Sequence, residues 1–169
     1  MTAVPTMFFT ADIASLLKIP EWRVVKFATG HEYQITPSHS DAAGSGTRRV
    51  YDLEDVCKIA LALRLLDAGL SSKAIGRILR GLHRREPLSK QLEAKRTEFS
   101  SVYLVVFRTP KPRQGQYWSG RRQDAFFVSS LTEVKPQEHP KHDLLLVSVG
   151  PTFRVVKHRL GKWQREKGK

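Results

Sequence analysis

Residues 40–56 read "SDAAGSGTRRVYDLEDV" and decide how the first half of the chain is interpreted. Small, flexible residues come first, and a Gly/Ser-rich segment of this kind favours a turn. Arg48 and Arg49 follow, and the chain then returns through Tyr51. Asp52 is a typical N-cap, and the acidic residues after it fall in a first helical turn, where negative charge favours the helix dipole. The segment therefore predicts a ribbon with two arginines that leads directly into a helix.

Two short helices are predicted upstream of this ribbon. Thr10 is a plausible N-cap, and apolar residues recur at helical spacing after it. Pro20 suits the start of a second helix, "EWRVVKFAT", because its missing N–H is not needed there. Gly30 would end that helix in a left-handed conformation. The ribbon itself is predicted to open with a strand at Tyr33–Ile35.

Two further helices are predicted downstream of the ribbon. Asp52 caps the first, which stops at Gly69, and Ser71 caps the second. Each carries one apolar face at helical spacing. The faces comprise Val56, Ile59, Ala60, Leu63 and Leu66 in the first helix, and Ile75, Ile78, Leu79 and Leu82 in the second.

The order helix, turn, helix, wing, helix, helix resembles the winged helix-turn-helix DNA-binding domain of the MerR family over residues 8–82. The resemblance rests on "T-x-x-x-A-x-x-L" in the first helix, "R-x-Y" at the wing, an acidic helix start and "GLS-x-x-x-I". Where the family has an arginine in the recognition helix, this chain has Val25, flanked by Arg23 and Lys26. The matching residues are Thr10, Ala14, Leu17, Arg49, Val50, Tyr51, Asp55, Gly69, Leu70, Ser71 and Ile75.

The resemblance implies a recognition helix in the major groove and a wing on the phosphate backbone. Arg23 is the favoured base reader, because a guanidinium can bond guanine O6 and N7 together, and Lys26 is a backbone anchor. Trp22 is open to two readings, packing on the first helix or contacting DNA. The ribbon arginines are predicted to point to opposite faces, and the family motif favours Arg49. The candidate DNA-binding residues are Thr10, Trp22, Arg23, Lys26, Arg48, Arg49 and Tyr51, the last either bonding a phosphate or packing under the wing.

The second half of the chain is more basic than the first. Residues 1–85 hold 12 Lys/Arg against 8 Asp/Glu, whereas residues 86–169 hold 17 against 8. Residues 86–100 are predicted to form a linker or short helix. Apolar runs at 101–107, 125–131 and 143–149 predict three strands. An apolar seam of Phe153, Val156, Leu160 and Trp163 predicts a C-terminal helix, with a strand at 153–157 as the competing interpretation.

Between the first two predicted strands, residues 108–123 interleave cations with aromatic residues. Such a loop can grip nucleic acid by charge and stacking, and a solvated hairpin loop explains it as well. The candidates for a secondary nucleic-acid contact are Lys111, Arg113, Trp118, Arg121 and Arg122.

The fold class that these patterns predict is α+β. Residues 1–85 form the mainly helical winged helix-turn-helix, residues 86–100 connect, and residues 101–169 form a small basic α+β region of about three strands and a C-terminal helix. This second region is predicted to dimerise the protein or to sense a ligand, and no family resemblance was found for residues 99–169.

Charge and composition narrow the partners. A net charge of +13 points to polyanions, with nucleic acid ahead of an anionic membrane surface. The longest apolar run, residues 102–107, has six residues, against roughly 20 for a membrane span. The N-terminus shows no signal-peptide pattern, so a cytoplasmic, nucleoid-associated protein is expected. A single cysteine, Cys57, excludes a disulfide framework and a cysteine-cluster metal site.

The leading functional prediction is a sequence-specific double-stranded DNA-binding protein, a homodimeric transcriptional regulator without cofactor, metal or catalytic residues, and with room for a small-molecule effector. The alternative is an architectural or excisionase-like recombination accessory protein, whose basic second half wraps DNA without reading it. A nucleic-acid enzyme is the third class, and no acid pair, nucleophile–base motif or metal cluster supports it.

Overall fold

The structure, a computed structural model, describes residues 7–30, 32–33, 35–38, 48–84, 86–94, 102–108, 125–128, 134 and 143–167. Within these residues the chain is α+β, as predicted, and has six helices and two small antiparallel sheets. The helices are α1 (Thr10–Leu17), α2 (Glu21–Thr29), α3 (Leu53–Asp67), α4 (Ser72–His83), α5 (Leu88–Ala94) and α6 (Gly150–Lys167). The strands are β1 (Phe8–Phe9), β2 (Val50–Tyr51), β3 (Tyr103–Arg108), β4 (Ala125–Val128) and β5 (Asp143–Ser148).

The α1–α2 pair forms as predicted, with differences at its ends. The N-cap of α1 is Phe9, one residue before the predicted Thr10, and the Asp12 carboxylate accepts the Phe9 N–H at 2.9 Å. Pro20 is the N-cap of α2 rather than its first residue. The prediction of a left-handed Gly30 was wrong, because its φ is −74°. A side chain at position 30 would instead place its Cβ 2.6 Å from the Lys26 carbonyl oxygen.

The ribbon differs from its prediction in the identity of its strands. β2 pairs with β1, Phe8 opposite Tyr51 and Phe9 opposite Val50. The predicted opening strand at Tyr33–Ile35 was wrong: Tyr33 lies in a turn and Ile35 in irregular chain, and both are buried. The side chains of Tyr33 and Ile35 pack in the core. The strand that pairs with β2 is instead β1, near the N-terminus.

Helix α3 lies at the centre of the main apolar core. Asp52 caps it by accepting the Asp55 N–H at 2.9 Å. Gly69, with φ +81°, ends it as predicted: the Gly69 N–H donates to Leu66 O at 2.8 Å and the Leu70 N–H to Leu65 O at 3.0 Å, the bonding pattern of a Schellman motif.

The burial of α3 extends beyond the single apolar face that the sequence predicted. Leu61, Ala62 and Leu65 are fully buried, although they lie outside that face, while the predicted Leu63 and Leu66 are only partly buried. Helices α4, α5 and α6 all contact α3. The sequence pattern predicted one buried side of α3, and another side is covered by α5 and α6 from the second half of the chain.

The second sheet confirms the three predicted strands. Its order is β4-β3-β5, and both pairs are antiparallel, with Tyr103 opposite Val128 in one and opposite Ser148 in the other. Leu104 and Val106 join the main core from one face of β3, and Val105 packs with Val128 on the other face. Because α6 directly follows β5, this sheet positions α6 next to helices of the first half of the chain.

Helix α6 settles the choice left open for residues 153–163, which are helical. Its seam packs on the first half of the chain: Phe153 and Val156 are buried in the main core, and Trp163 packs against Phe8 with ring centroids 5.0 Å apart. The Arg159 side chain donates to the Leu16 carbonyl oxygen at 2.7 Å. The C-terminal helix therefore folds back on α1 and α3 of its own chain.

Candidate nucleic-acid interface

The outward arc of α2 is the surface that the sequence assigned to DNA. Val24 and Phe27 bury the inner side of the helix, and Phe27 packs edge-on against Tyr33 at 4.8 Å between ring centroids. On the other side lie four residues at positions i, i+3, i+4 and i+7, which is one face of a helix. They are Trp22, Val25, Lys26 and Thr29, and all but the half-buried Val25 are exposed.

The exposure of Trp22 bears on the two alternatives left open for it. Its side chain is 64% exposed, so most of the ring is not packed on α1 or elsewhere in the fold. A large apolar ring that the fold does not bury is available to a partner, and it lies on the same face as the Lys26 ammonium. We call Trp22, Val25, Lys26 and Thr29 the α2 face.

Arg23 lies apart from the α2 face. Its side chain is half-buried and lines a cleft shared with α3 and α6. On a helix Arg23 is about 100° from Trp22, which places it on the flank between the exposed and buried sides. The residue favoured as base reader is therefore at the edge of the candidate surface, whereas Trp22 and Lys26 are on it.

The two ribbon arginines differ in exposure. Arg48 is exposed, with its guanidinium carbon 5.8 Å from the centroid of the Phe9 ring. Arg49 is half-buried, with a buried Nε, and takes part in interactions inside the protein. The two residues thus differ in exposure, and Arg48 is more exposed than the Arg49 that the family motif favours.

Tyr51 and Thr10 belong to the fold rather than to the exposed surface. Tyr51 is fully buried opposite Phe8, so the structure shows the packing alternative and not an accessible phosphate contact. Thr10 is half-buried at the first turn of α1. Tyr51 lies in β2, close after Arg48, and Thr10 begins α1, directly after Phe9.

The Asp55 carboxylate connects Ser38, in the segment between α2 and β2, to the start of α3. Asp55 is fully buried, and its Oδ2 accepts the Ser38 N–H at 2.9 Å and the Asp52 N–H at 3.2 Å. Its Oδ1 lies 3.7 Å from the Lys58 ammonium. Burial raises the pKa of Asp55 above its ordinary value, and the Ser38 N–H opposes that rise by favouring the carboxylate. The sequence identified Asp55 as a first-turn residue and gave no sign of its bond across to Ser38.

A second carboxylate joins three helices. Glu54, in the first turn of α3, accepts the N–H groups of Leu88 and Ser89 at 2.7 and 2.8 Å, so it caps the N-terminus of α5. Its Oε1 also lies 3.4 Å from His83 Nδ1 at the end of α4. These bonds fix the linker helix that the sequence left undecided between helix and linker.

Sequence reasoning missed two residues of the candidate surface. Phe9 is 40% exposed beside Arg48, and Thr29 is exposed at the end of the α2 face, where its hydroxyl donates to the Val25 carbonyl at 2.9 Å. The helical period of α2 could have identified Thr29, since it lies seven positions after Trp22. The pairing of Phe9 with β2 had no local sequence signal.

Helix α6 presents a second basic surface. Arg154, Lys157, Lys162 and Arg165 are exposed along it, opposite the seam that packs on the core. The candidates for a secondary nucleic-acid contact, Lys111, Arg113, Trp118, Arg121 and Arg122, lie outside the described residues.

The described residues show no cluster of three His, Cys, Asp or Glu side chains that could hold a metal ion. Cys57 is buried in α3, and burial, with Glu54 and Asp52 nearby, raises the pKa of its thiol to about 12. In the same part of the chain, every helix is too short or too polar to cross a bilayer.

The candidate surface has two parts: the α2 face, which exposes one aromatic and one cationic side chain, and the antiparallel β1–β2 ribbon, which exposes an arginine. Comparison of this chain with models of known protein families and with curated proteins found no match.

Proposed function

We propose that the protein binds double-stranded DNA, with α2 as its recognition helix and the β1–β2 ribbon against the phosphate backbone. The observation that carries this proposal is the α2 face: Trp22 and Lys26 are exposed on a helix whose opposite side is anchored in the core. An α-helix of this kind fits the major groove, where base edges are read.

Charge supports the same assignment. The protein carries a net charge of +13, and a protein that neutralises phosphates releases condensed counterions, which makes binding strongly salt-dependent. Lys26 and Arg48 are the exposed cations on α2 and at the ribbon. The order α1, α2, β2 and then the two capped helices α3 and α4 agrees with part of the order on which the resemblance to the MerR family rests, although the other ribbon strand, β1, precedes α1.

The proposed role is that of a MerR-like transcriptional regulator that binds as a homodimer. A two-fold protein reads a two-fold site, and one α2 face per half-site would set the spacing at about one helical turn of DNA. Because α6 folds back on its own chain, pairing would use surfaces other than the seam of α6.

The test is a titration of fluorescently labelled DNA fragments with the intact protein at several salt concentrations. Lys26→Ala and Arg48→Ala are expected to weaken binding across sequences and each to reduce the salt slope by about one. Matched controls are Lys90→Ala on α5 and Arg84→Ala at the end of α4, which remove the same charges from exposed positions on other helices. Equal losses in the controls, or a response that is flat in salt, would reject the proposed surface.

Trp22→Ala tests sequence reading separately from charge. It removes no charge, so the salt slope should stay unchanged while affinity for a selected site falls by about tenfold relative to unrelated DNA. If Trp22→Ala leaves this ratio intact, α2 does not read sequence.

The second candidate function is architectural. The exposed cations of α6 provide another phosphate-binding surface on a different part of the molecule, as a protein that wraps or bends DNA requires. Footprinting distinguishes the two: one short two-fold-symmetric site favours a regulator, and an extended, bent array favours the architectural role. Sedimentation in the presence and absence of DNA gives the stoichiometry that each requires.

A further inference from the structure

A cleft lies between the turn that joins α1 to α2, the C-terminal half of α3 and the N-terminal half of α6. Its volume is about 410 Å³, within the size range of small-molecule sites. None of the sequence patterns pointed to it, because its walls come from helices that are far apart along the chain.

Three arginines converge on this cleft, one from each wall. Arg23 comes from α2, Arg64 from α3 and Arg159 from α6, and all three are half-buried. Among the described residues of the lining there is one carboxylate, Asp67, which is exposed in the last turn of α3. The cleft therefore has an excess of two positive charges in a partly desolvated position, where charge attracts an anion more strongly than at an open surface.

Two of these arginines are held in place by the main chain. The Arg64 Nε–H donates to the Ser148 carbonyl oxygen at 3.0 Å, and the Arg159 side chain donates one bond to Leu16 O at 2.7 Å. A guanidinium has five N–H donors, so each anchoring bond uses only one of them. Anchored guanidinium groups with further donors suit planar, two-point recognition of a carboxylate or phosphate.

The remaining lining is mostly apolar. It includes the partly buried Leu17, Ile19 and Leu63 and the buried Val156. The cleft opens to solvent past Pro151 and Val155, which are exposed. The first turn of α6 also lies here, and the dipole of that 18-residue helix adds positive potential.

We propose that this cleft binds a small amphipathic anion, with a carboxylate or phosphate head on Arg23, Arg64 and Arg159 and a short apolar body against the leucine and isoleucine side chains. The alternative is that the three arginines serve only to hold α6 on α1 and α3. That role accounts for the anchoring bonds of Arg64 and Arg159. It does not account for Arg23, which lines the cleft from α2 without being one of these anchors.

The test measures binding of hexanoate and hexyl phosphate to the intact chain by calorimetry and thermal shift, at constant ionic strength and without DNA. Hexanol, which has the apolar body without the anionic head, and acetate, which has the head with almost no apolar body, are the matched control probes. Saturable binding of either amphipathic anion, at least about tenfold tighter than both half-ligands, supports the proposal. Equal binding of hexanol and the anions overturns it.

Arg23→Gln is the decisive variant, because it leaves both anchoring bonds intact. It should weaken anion binding by about tenfold or more, the loss expected for a charge-assisted hydrogen bond. Arg64→Gln should do the same if the variant folds, whereas Arg77→Gln, at an exposed position of α4, should bind like the unchanged chain. Unchanged anion binding by Arg23→Gln would overturn the assignment.

One consequence rests on the proposed function. Because the cleft joins α2 to α6, an anion that binds there would change DNA affinity, and DNA would change anion affinity by the same factor. The anion titration is made without DNA, so failure of the cleft and failure of DNA binding give separate results. Loss of DNA affinity in Arg23→Gln without any anion binding would show that Arg23 serves DNA instead, which would overturn the cleft proposal.

Discussion

Replacing Gly76 by alanine should destabilise the protein, although alanine favours helices more than glycine. Gly76 lies in α4 against the segment that follows α2, and a Cβ built there would be 1.9 Å from the Glu32 carbonyl oxygen. Real Cβ contacts essentially never fall below 3.0 Å, so helix and segment must separate by more than 1 Å. The obstacle is main chain, so rotation of a side chain cannot relieve it.

The magnitude follows from two opposing terms. Overpacking by one methyl group costs about 1–3 kcal/mol, and more where backbone must move. Alanine in a helix interior recovers about 0.5–1 kcal/mol relative to glycine. The net loss is expected to be about 2 kcal/mol, which lowers the midpoint of thermal unfolding by about 4–8 °C in a chain of this size.

Gly161→Ala is the matched control, because it makes the same chemical change within α6. No atom of the described residues lies within 4 Å of a Cβ at position 161, so only the gain in helix propensity remains. That variant should be more stable by about 0.5–1 kcal/mol. Thermal and urea unfolding followed by circular dichroism measure both variants under identical conditions.

The two variants are expected to change stability in opposite directions. If Gly76→Ala is as stable as Gly161→Ala, α4 does not contact the main chain at Glu32. The strain should also reach α2, because Tyr33 packs on Phe27. Gly76→Ala is therefore expected to weaken DNA binding more than Gly161→Ala does, at a temperature where both are folded.

The further predictions concern three side chains, the buried Asp55 and Cys57 and the partly buried Glu54. Asp55→Asn can keep an acceptor for the Ser38 and Asp52 N–H groups, whereas Asp55→Ala leaves both unpaired and should lose about 2–4 kcal/mol of unfolding free energy in urea. Because burial raises the pKa of Asp55 in the folded state, its contribution to stability is present at low pH and is lost as the pH rises through that pKa. The unfolding free energy of the unchanged chain, relative to that of Asp55→Asn, should therefore increase as the pH falls toward about 4, which is the pKa of an aspartate in the unfolded chain. A difference that does not depend on pH would contradict this prediction. The Cys57 thiol, with its pKa raised to about 12, should resist a thiol reagent at pH 8 in the folded protein and react at once in urea, so rapid labelling without denaturant would show that it is accessible. Glu54→Ala should destabilise the protein by about 1–3 kcal/mol and increase hydrogen exchange at Leu88 and Ser89, with Glu86→Ala as the exposed control; unchanged exchange there would rule out the cap.

The sequence predicted several local features correctly, although the N-cap at Thr10 and the left-handed Gly30 were wrong. Asp52 and Ser71 cap the helices they were expected to cap, and Gly69 ends α3 in the expected left-handed conformation. The three apolar runs of the second half are strands, and the seam of α6 is helical. In each case the residues that decide the conformation are within a few positions of one another.

Features that depend on distant contacts were out of reach. Phe8 and Phe9 have no strand pattern of their own, and they become β1 because β2 pairs with them. The two ribbon arginines are adjacent and chemically identical, so only tertiary packing determines that Arg48 is exposed and Arg49 half-buried. The arginine cleft joins residues from three helices, and neither spacing nor composition could bring Arg23, Arg64 and Arg159 together.

The burial of α3 on several sides has a practical consequence for anyone who would cut this chain. A fragment that stopped at residue 85 would retain α1 to α4 but lose α5 and α6, leaving apolar side chains of α3 in water. Such a truncated piece would be prone to aggregate. Independent folding of the helical half should therefore be demonstrated before this half is used as an isolated domain or fused to another protein.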